Sequence, residues 1–144
     1  MSAVWVITVA AIAGVAITVQ GQLMGIMDRG LGTMESVFIT YAVGGVLAAL
    51  LLLLFRGGNL GQWQQLPWWV LSSGIVGLVI VSGIGYSVGQ LGAVGAFTVI
   101  VAVQFFVATL IDHFGLFGAP VREIGLRKLT GIGTLMLGVW LTLR

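Results

Sequence analysis

The chain has 144 residues, of which only ten are charged: six Lys or Arg and four Asp or Glu. Hydrophobic residues make up 59 % of it. Because a typical soluble domain is about 25 % charged, this composition excludes a water-soluble fold and predicts a protein whose solvent is lipid. The sequence has no cysteine, which excludes disulfides, thiolate catalysis and cysteine-ligated metals. Its few cations are scattered, so we expect no nucleic-acid partner.

The charged residues separate long uncharged stretches of the sequence. A membrane-spanning helix needs about 20 mainly apolar residues, and the stretches leave room for five. We therefore predict an all-α, polytopic membrane protein with one transmembrane domain over residues 1–144. Residues 57–66 are expected to form a loop, and Gly89–Gly92 a turn. The transmembrane helices are expected at about residues 4–27, 34–54, 67–88, 93–111 and 125–143.

An odd number of crossings places the two termini on opposite sides of the membrane. The side of the N-terminus then carries four Lys or Arg residues and the other side two, so the positive-inside rule favours a cytoplasmic N-terminus. So small a difference also permits dual topology, in which two copies insert in opposite directions and form an antiparallel homodimer. The four cations are Arg56, Arg122, Arg127 and Lys128, and the two are Arg29 and Arg144.

Polar side chains inside apolar helices indicate where a ligand could bind. Each costs free energy in hydrocarbon, so it should face protein or a water-filled cavity. An amide can bind a neutral or a charged ligand without carrying charge itself. The same amides could instead join neighbouring helices as structural hydrogen bonds. The predicted substrate-binding residues are Gln20, Gln22, Tyr41, Tyr86 and Gln104.

Asp112 and His113 form an acid–base pair at the end of the fourth predicted helix. If the fourth helix continues beyond Ile111, the Asp112 carboxylate lies in the apolar zone and needs a partner such as Arg122, Arg127 or Lys128. The pair could lock the helix end, or it could couple transport to protons. With one histidine and no carboxylate pair at a useful spacing, we expect no enzyme, no metal and no cofactor.

Glycine is unusually frequent, with 23 residues. Small residues four apart let membrane helices approach closely. Outside the predicted loop, two pairs of glycines have this spacing, Gly21 with Gly25 and Gly85 with Gly89. In the second helix the pairs are Gly44 with Ala48 and Gly45 with Ala49. These pairs predict tight helix packing.

The string IDHFGLFG at residues 111–118 resembles the signature of the YdcZ family of the drug/metabolite transporter superfamily. The tripeptide at residues 91–93 resembles the family's LGA turn, and the one at residues 67–69 resembles the entry of its third helix. Gln20 stands where the family has a first-helix glutamine. The resemblance covers nearly the whole chain. The sequence departs from the family pattern at Met24, Glu35 and Gln90.

The resemblance implies a five-helix unit that occurs elsewhere in pairs or fused into ten-helix proteins, a pattern that suggests antiparallel dimers. It implies no substrate. Related small multidrug transporters use a first-helix glutamate for proton coupling, and the predicted first helix, residues 4–27, contains no acid. The resemblance therefore does not imply that this chain exports cations by proton coupling.

We thus expect a small-molecule transporter in the bacterial inner membrane that works by alternating access at an antiparallel dimer interface. Its expected partners are membrane lipid, a small-molecule substrate, and a second copy or a paired homologue. The alternatives are a dual-topology ion channel and a non-transporting partner subunit of a heterodimeric transporter.

Overall fold

The computed structural model describes residues 2–56 and 58–144, which are helical with no strand among them. The all-α prediction is confirmed. α3 contains one non-helical residue, Gly92, which divides it into two helices. Counted in this way, the described residues form five α-helices. The α-helices are α1 (Ala3–Leu31), α2 (Thr33–Leu54), α3 (Ser73–Phe114) and α4 (Leu126–Thr142). Short 3-10 helices cover Leu60–Gln65, Trp68–Ser72 and Leu116–Gly118.

Three segments are long and apolar enough to cross a membrane. They are Ala3–Leu31, Thr33–Leu54 and Trp68–Phe114. The third has 47 residues, about 70 Å at 1.5 Å per helical residue. That length is more than twice the roughly 30 Å of a bilayer's hydrocarbon core.

α1 and α2 are joined more tightly than the sequence predicts. Instead of a connection over residues 28–33, only Gly32 separates the two helices, and it has φ 104° and ψ 163°. Hydrogen bonds hold the last turn of α1: the Gly32 amide donates to the Asp28 carbonyl at 2.9 Å, and the Thr33 hydroxyl donates to Asp28 Oδ1 at 2.6 Å. Asp28 therefore extends the helix rather than ending it.

The predicted turn at residues 89–92 is a break at a single residue. The helix continues through Leu91, and only Gly92, with φ 73° and ψ 166°, leaves the helical region. An L-residue with a β-carbon rarely adopts such a φ. Gly89 remains helical because it packs against α1, where the Arg29 guanidinium donates to its carbonyl at 3.3 Å.

The segment before α3 also differs from the prediction. The predicted loop begins at Gly57, which lies outside the described residues, and the part that follows contains the 3-10 helix Leu60–Gln65. Pro67, expected in the first turn of an α-helix, instead precedes the 3-10 helix Trp68–Ser72. The α-helix begins at Ser73.

The chain divides into two compact units, one that ends at Gln90 and one formed by Leu91–Arg144. In the first unit α1 packs against α2 and also approaches the first half of α3 closely. A β-carbon on Gly25 would lie 2.8 Å from Val88 Cγ1 and 3.2 Å from the Gly89 nitrogen. A β-carbon on Gly85 would lie 3.2 Å from Met24 Cε. Gly25 and Gly85 belong to the two glycine pairs that are expected to pack closely. Met24 and Val88, which face them, are almost fully buried.

In the second unit the chain folds back where α3 ends. Gly115 follows the helix in the left-handed conformation, with φ 62° and ψ 30°, as is common for a residue that ends a helix. The Arg122 amide then donates to the Asp112 carbonyl at 2.8 Å. A β-carbon on Gly115 would lie 2.8 Å from Val121 Cγ2. Position 115 thus requires glycine for two reasons, its left-handed dihedral angles and the close contact with Val121.

We expect Gly25→Ala to destabilise the protein by about 1–3 kcal/mol, the usual cost of overpacking a filled site, because its methyl group would meet Val88 and the main chain of α3. Reversible unfolding of the purified protein in mixed detergent micelles measures the change. Gly14→Ala in the same helix is the control, because a β-carbon there meets nothing within 4 Å. Equal stability of the two variants would show that this crossing is loosely packed.

Gly115→Ala is expected to lower stability by at least the roughly 1–2 kcal/mol of a left-handed L-residue, with a further penalty from the contact with Val121. Gly118 has φ 81° but open space around its β-carbon position, so Gly118→Ala measures the dihedral penalty alone. The same unfolding measurement should rank Gly115→Ala as the less stable variant. The reverse order would contradict the contact described here.

Candidate functional site

The first unit contains a groove formed by α1, α2 and the first half of α3. Its volume is about 420 Å³, within the range of roughly 300–1,000 Å³ usual for small-molecule sites. Two of the predicted site residues, Gln20 and Tyr41, meet in this groove. The lining residues are Gln20 from α1, Thr40, Tyr41, Gly44, Gly45 and Ala48 from α2, and Val81 from α3.

The α2 side of the groove follows from helical spacing. Residues 40, 41, 44, 45 and 48 lie on one face because positions three to four apart recur on the same side of an α-helix. Gly44 and Gly45 form the open floor of this face, since a β-carbon on either meets nothing within 4 Å. The small-residue pairs of α2 are expected to pack against another helix. Among the described residues, no atom comes within 4 Å of a β-carbon on Gly44 or Gly45.

Tyr41 is held in place by the shape of α3. A β-carbon on Gly77 would lie 2.5 Å from the Tyr41 hydroxyl oxygen, so the hydroxyl occupies the space that a side chain at position 77 would fill. The Tyr41 side chain is still 39 % exposed. Its ring therefore rests against α3 while one side remains open to the groove.

Two polar groups of the groove are available to a ligand. The Thr40 hydroxyl donates to the Ser36 carbonyl of its own helix at 2.8 Å. The Gln20 amide and the Tyr41 hydroxyl have no hydrogen-bond partner within the part of the chain that the structure describes. Unpaired polar groups are costly in hydrocarbon, so a ligand, a partner chain or water must satisfy them.

The groove lies near half-height of its helices. Gln20 is three residues from the centre of α1 (Ala3–Leu31), a distance of about 4.5 Å along the axis. Tyr41 and Gly45 lie on either side of the centre of α2 (Thr33–Leu54). In a membrane-spanning arrangement this is the depth at which transporters commonly place their sites.

The other two predicted site residues of the first unit lie apart from the groove. Gln22 and Gln20 stand on either side of the buried Gly21, about 200° apart around α1. Tyr86 of α3 is 56 % exposed and does not line the groove. These placements leave the predicted roles of Gln22 and Tyr86 as predictions.

The remaining predicted residues belong to the second unit. Gln104 lies on an exposed part of α3. Asp112 and His113 lie in the last turn of α3, which ends at Phe114, and both are half-buried. His113 packs edge-on against Phe114, with ring centroids 4.9 Å apart, and its Nδ1 is buried with no hydrogen-bond partner among the described residues.

The second unit has its own groove, between the second half of α3 and α4, with a volume of about 470 Å³. Its threonines bond to their own helices: Thr98 donates to the Val94 carbonyl and Thr134 to the Thr130 carbonyl. The surface of this groove is therefore mostly apolar. We give it no role in ligand recognition.

Sequence reasoning missed several lining residues. Thr40 and Val81 carry no signal that separates them from other residues of apolar helices. Gly44 and Gly45 were noticed for their spacing but interpreted as packing positions. The useful signal would have been that Thr40, Tyr41 and the glycines share one face of α2, opposite a glutamine in the middle of α1.

Comparisons with known proteins indicate the family to which the chain belongs. A family described as "Putative inner membrane exporter, YdcZ" matches residues 5–141. The Inner membrane protein YdcZ of Escherichia coli (strain K12) is 28 % identical over 137 residues, which cover 92 % of this chain and 90 % of that protein. No solved structure matches. With its membrane-length helices, the chain is an inner-membrane protein, and it belongs to the YdcZ family of drug/metabolite transporters, whose description names an exporter and not an enzyme.

Proposed function

We propose that the chain transports a small molecule across the inner membrane and that the groove between Gln20 and Tyr41 is its substrate site. The observation that carries this proposal is the position of the two unpaired polar groups. They face a cavity at half-height of two helices that are each long enough to cross the bilayer. A structural role would instead pair these groups with a neighbouring helix.

Five crossings are part of the proposal. α1 and α2 supply two. The segment Trp68–Phe114 supplies two more, because its length fits two spans and Gly92 interrupts the helix near its middle. α4, with 17 residues, is about 26 Å long, and it spans the bilayer when the exposed Arg127 in its first turn extends to the headgroups.

The proposed assembly is an antiparallel dimer that works by alternating access. Transporter sites commonly lie between two halves of inverted topology, and one five-helix chain offers only one half. A second copy inserted in the opposite direction supplies the other half. The four-to-two distribution of Lys and Arg supports this arrangement because it biases the orientation only slightly.

Removal of the groove's polar groups is expected to reduce transport. Tyr41→Phe and Gln20→Leu each remove hydrogen bonds worth about 0.5–1.5 kcal/mol, so each should lower uptake efficiency by about 2- to 10-fold in proteoliposomes. Thr8→Val is the control, since the Thr8 hydroxyl only donates to the Val4 carbonyl of its own helix. Unchanged transport in both groove variants would remove the groove from the pathway.

Dual topology can be tested directly because the chain has no cysteine of its own. Single cysteines are placed at Ser2 and, in a second variant, at Arg144. In intact cells a membrane-impermeant maleimide should label part of each population, and permeabilisation should expose the rest. Complete labelling of one terminus together with complete protection of the other would contradict the antiparallel homodimer.

A further inference from the structure

The groove of the first unit offers a ligand hydrogen bonds and apolar contact from side chains of uncharged types. Its lining consists of glutamine, threonine, tyrosine, glycine, alanine and valine. The Gln20 amide supplies two donors and one acceptor, and the Tyr41 hydroxyl supplies one donor and an acceptor. Beside them, the open floor of Gly44 and Gly45 lets an apolar body lie against the α2 main chain.

Charged side chains lie well away from these groups along both helices. Asp28 is eight residues from Gln20 on α1, about 12 Å along the axis, and Glu35 is six residues from Tyr41 on α2, about 9 Å. The Asp28 carboxylate also accepts a hydrogen bond from Thr33. A charged ligand beside Gln20 would therefore lose its hydration without gaining a counter-charge, which is costly at this depth.

We propose that the groove binds an uncharged small molecule with an apolar body and an amide or hydroxyl end. The polar end hydrogen-bonds to Gln20 and Tyr41, and the body lies over Gly44 and Gly45. This inference rests on the proposed function, because it names the substrate class of the same site.

Gly77 is a positioning residue in this scheme. It does not line the groove, but it provides the space for the Tyr41 hydroxyl. A methyl group at position 77 would push the ring of Tyr41 away from α3. The hydrogen-bonding end of the site would then move relative to Gln20, while the uncharged character of the groove would stay the same.

Three probes of nearly equal size and different charge test the proposal: phenylacetamide, phenylacetate and phenethylammonium. Each is added to the full-length protein in detergent, and the thermal unfolding midpoint is followed, since a ligand of the folded state raises it. We expect phenylacetamide to raise the midpoint at a concentration at least tenfold lower than either ion. Equal or stronger stabilisation by an ion, or no stabilisation by phenylacetamide, would overturn the proposal.

Variants show whether the probe occupies this groove. Gly44→Leu fills the floor and should abolish the effect of phenylacetamide, whereas Gly14→Leu, at an open position of α1 outside the groove, should not. If Gly44→Leu removes stabilisation by an ion, the groove is the site but the substrate class is wrong. If Gly44→Leu leaves stabilisation by phenylacetamide intact, the groove is not its site, and both this inference and the proposed substrate site are wrong.

The role of Gly77 has its own readout. Gly77→Ala should weaken phenylacetamide binding at least threefold, while Gly74→Ala, whose β-carbon meets nothing within 4 Å, should leave it unchanged. Adding Tyr41→Phe to Gly77→Ala removes the clashing oxygen, so it should restore the stability lost by Gly77→Ala without restoring binding. Full binding by Gly77→Ala would show that the position of Tyr41 is not set by α3.

Discussion

Missing β-carbons at the crossing of α1 and α3 determine how the first unit packs. In lipid no hydrophobic force draws two apolar helices together, so their association depends on close contact. Gly25, Gly85 and Gly89 provide that contact: a β-carbon on any of them would come within 2.8 to 3.2 Å of the opposite helix. Met24 and Val88 fill the remaining space and are almost fully buried.

The groove lies just beyond this packed region. Ser36 and Val37 of α2 are buried beside the crossing, and Thr40, one turn further along, is the first α2 residue of the groove. The same helix face thus changes from buried to open over one turn. Its next small residues, Gly44 and Gly45, have no opposite helix within 4 Å of a β-carbon. A closely packed end and an open middle are what a site at mid-membrane needs.

The amino-acid sequence predicts much of the fold, because charges and apolar length determine where membrane helices can lie. It does not predict that Asp28 stays inside α1, since that depends on hydrogen bonds to Gly32 and Thr33. It also cannot separate the packed glycine pair at Gly85 and Gly89 from the open positions Gly44 and Gly45. Small residues with the same four-residue spacing can pack against another helix or stay open. Only the relative placement of the helices decides which of the two occurs. The cost of a polar group in an apolar helix selects Gln20 and Tyr41 from the sequence, but it selects equally three residues that do not line this groove: Gln22, Tyr86 and Gln104.

The most recognisable string of the chain, at residues 111–118, lies at a helix end rather than in the groove of the first unit. Its glycines are explained by backbone geometry, since Gly115 is left-handed where α3 stops. Backbone geometry does not explain why residue 112 is an aspartate. The bond from the Arg122 amide uses its main-chain carbonyl, which any residue offers, and a carboxylate near a helix C-terminus is disfavoured by about 0.3–1 kcal/mol. A bond made by the main chain therefore does not require an acid at position 112, and the predicted roles of Asp112 and His113 stay predictions.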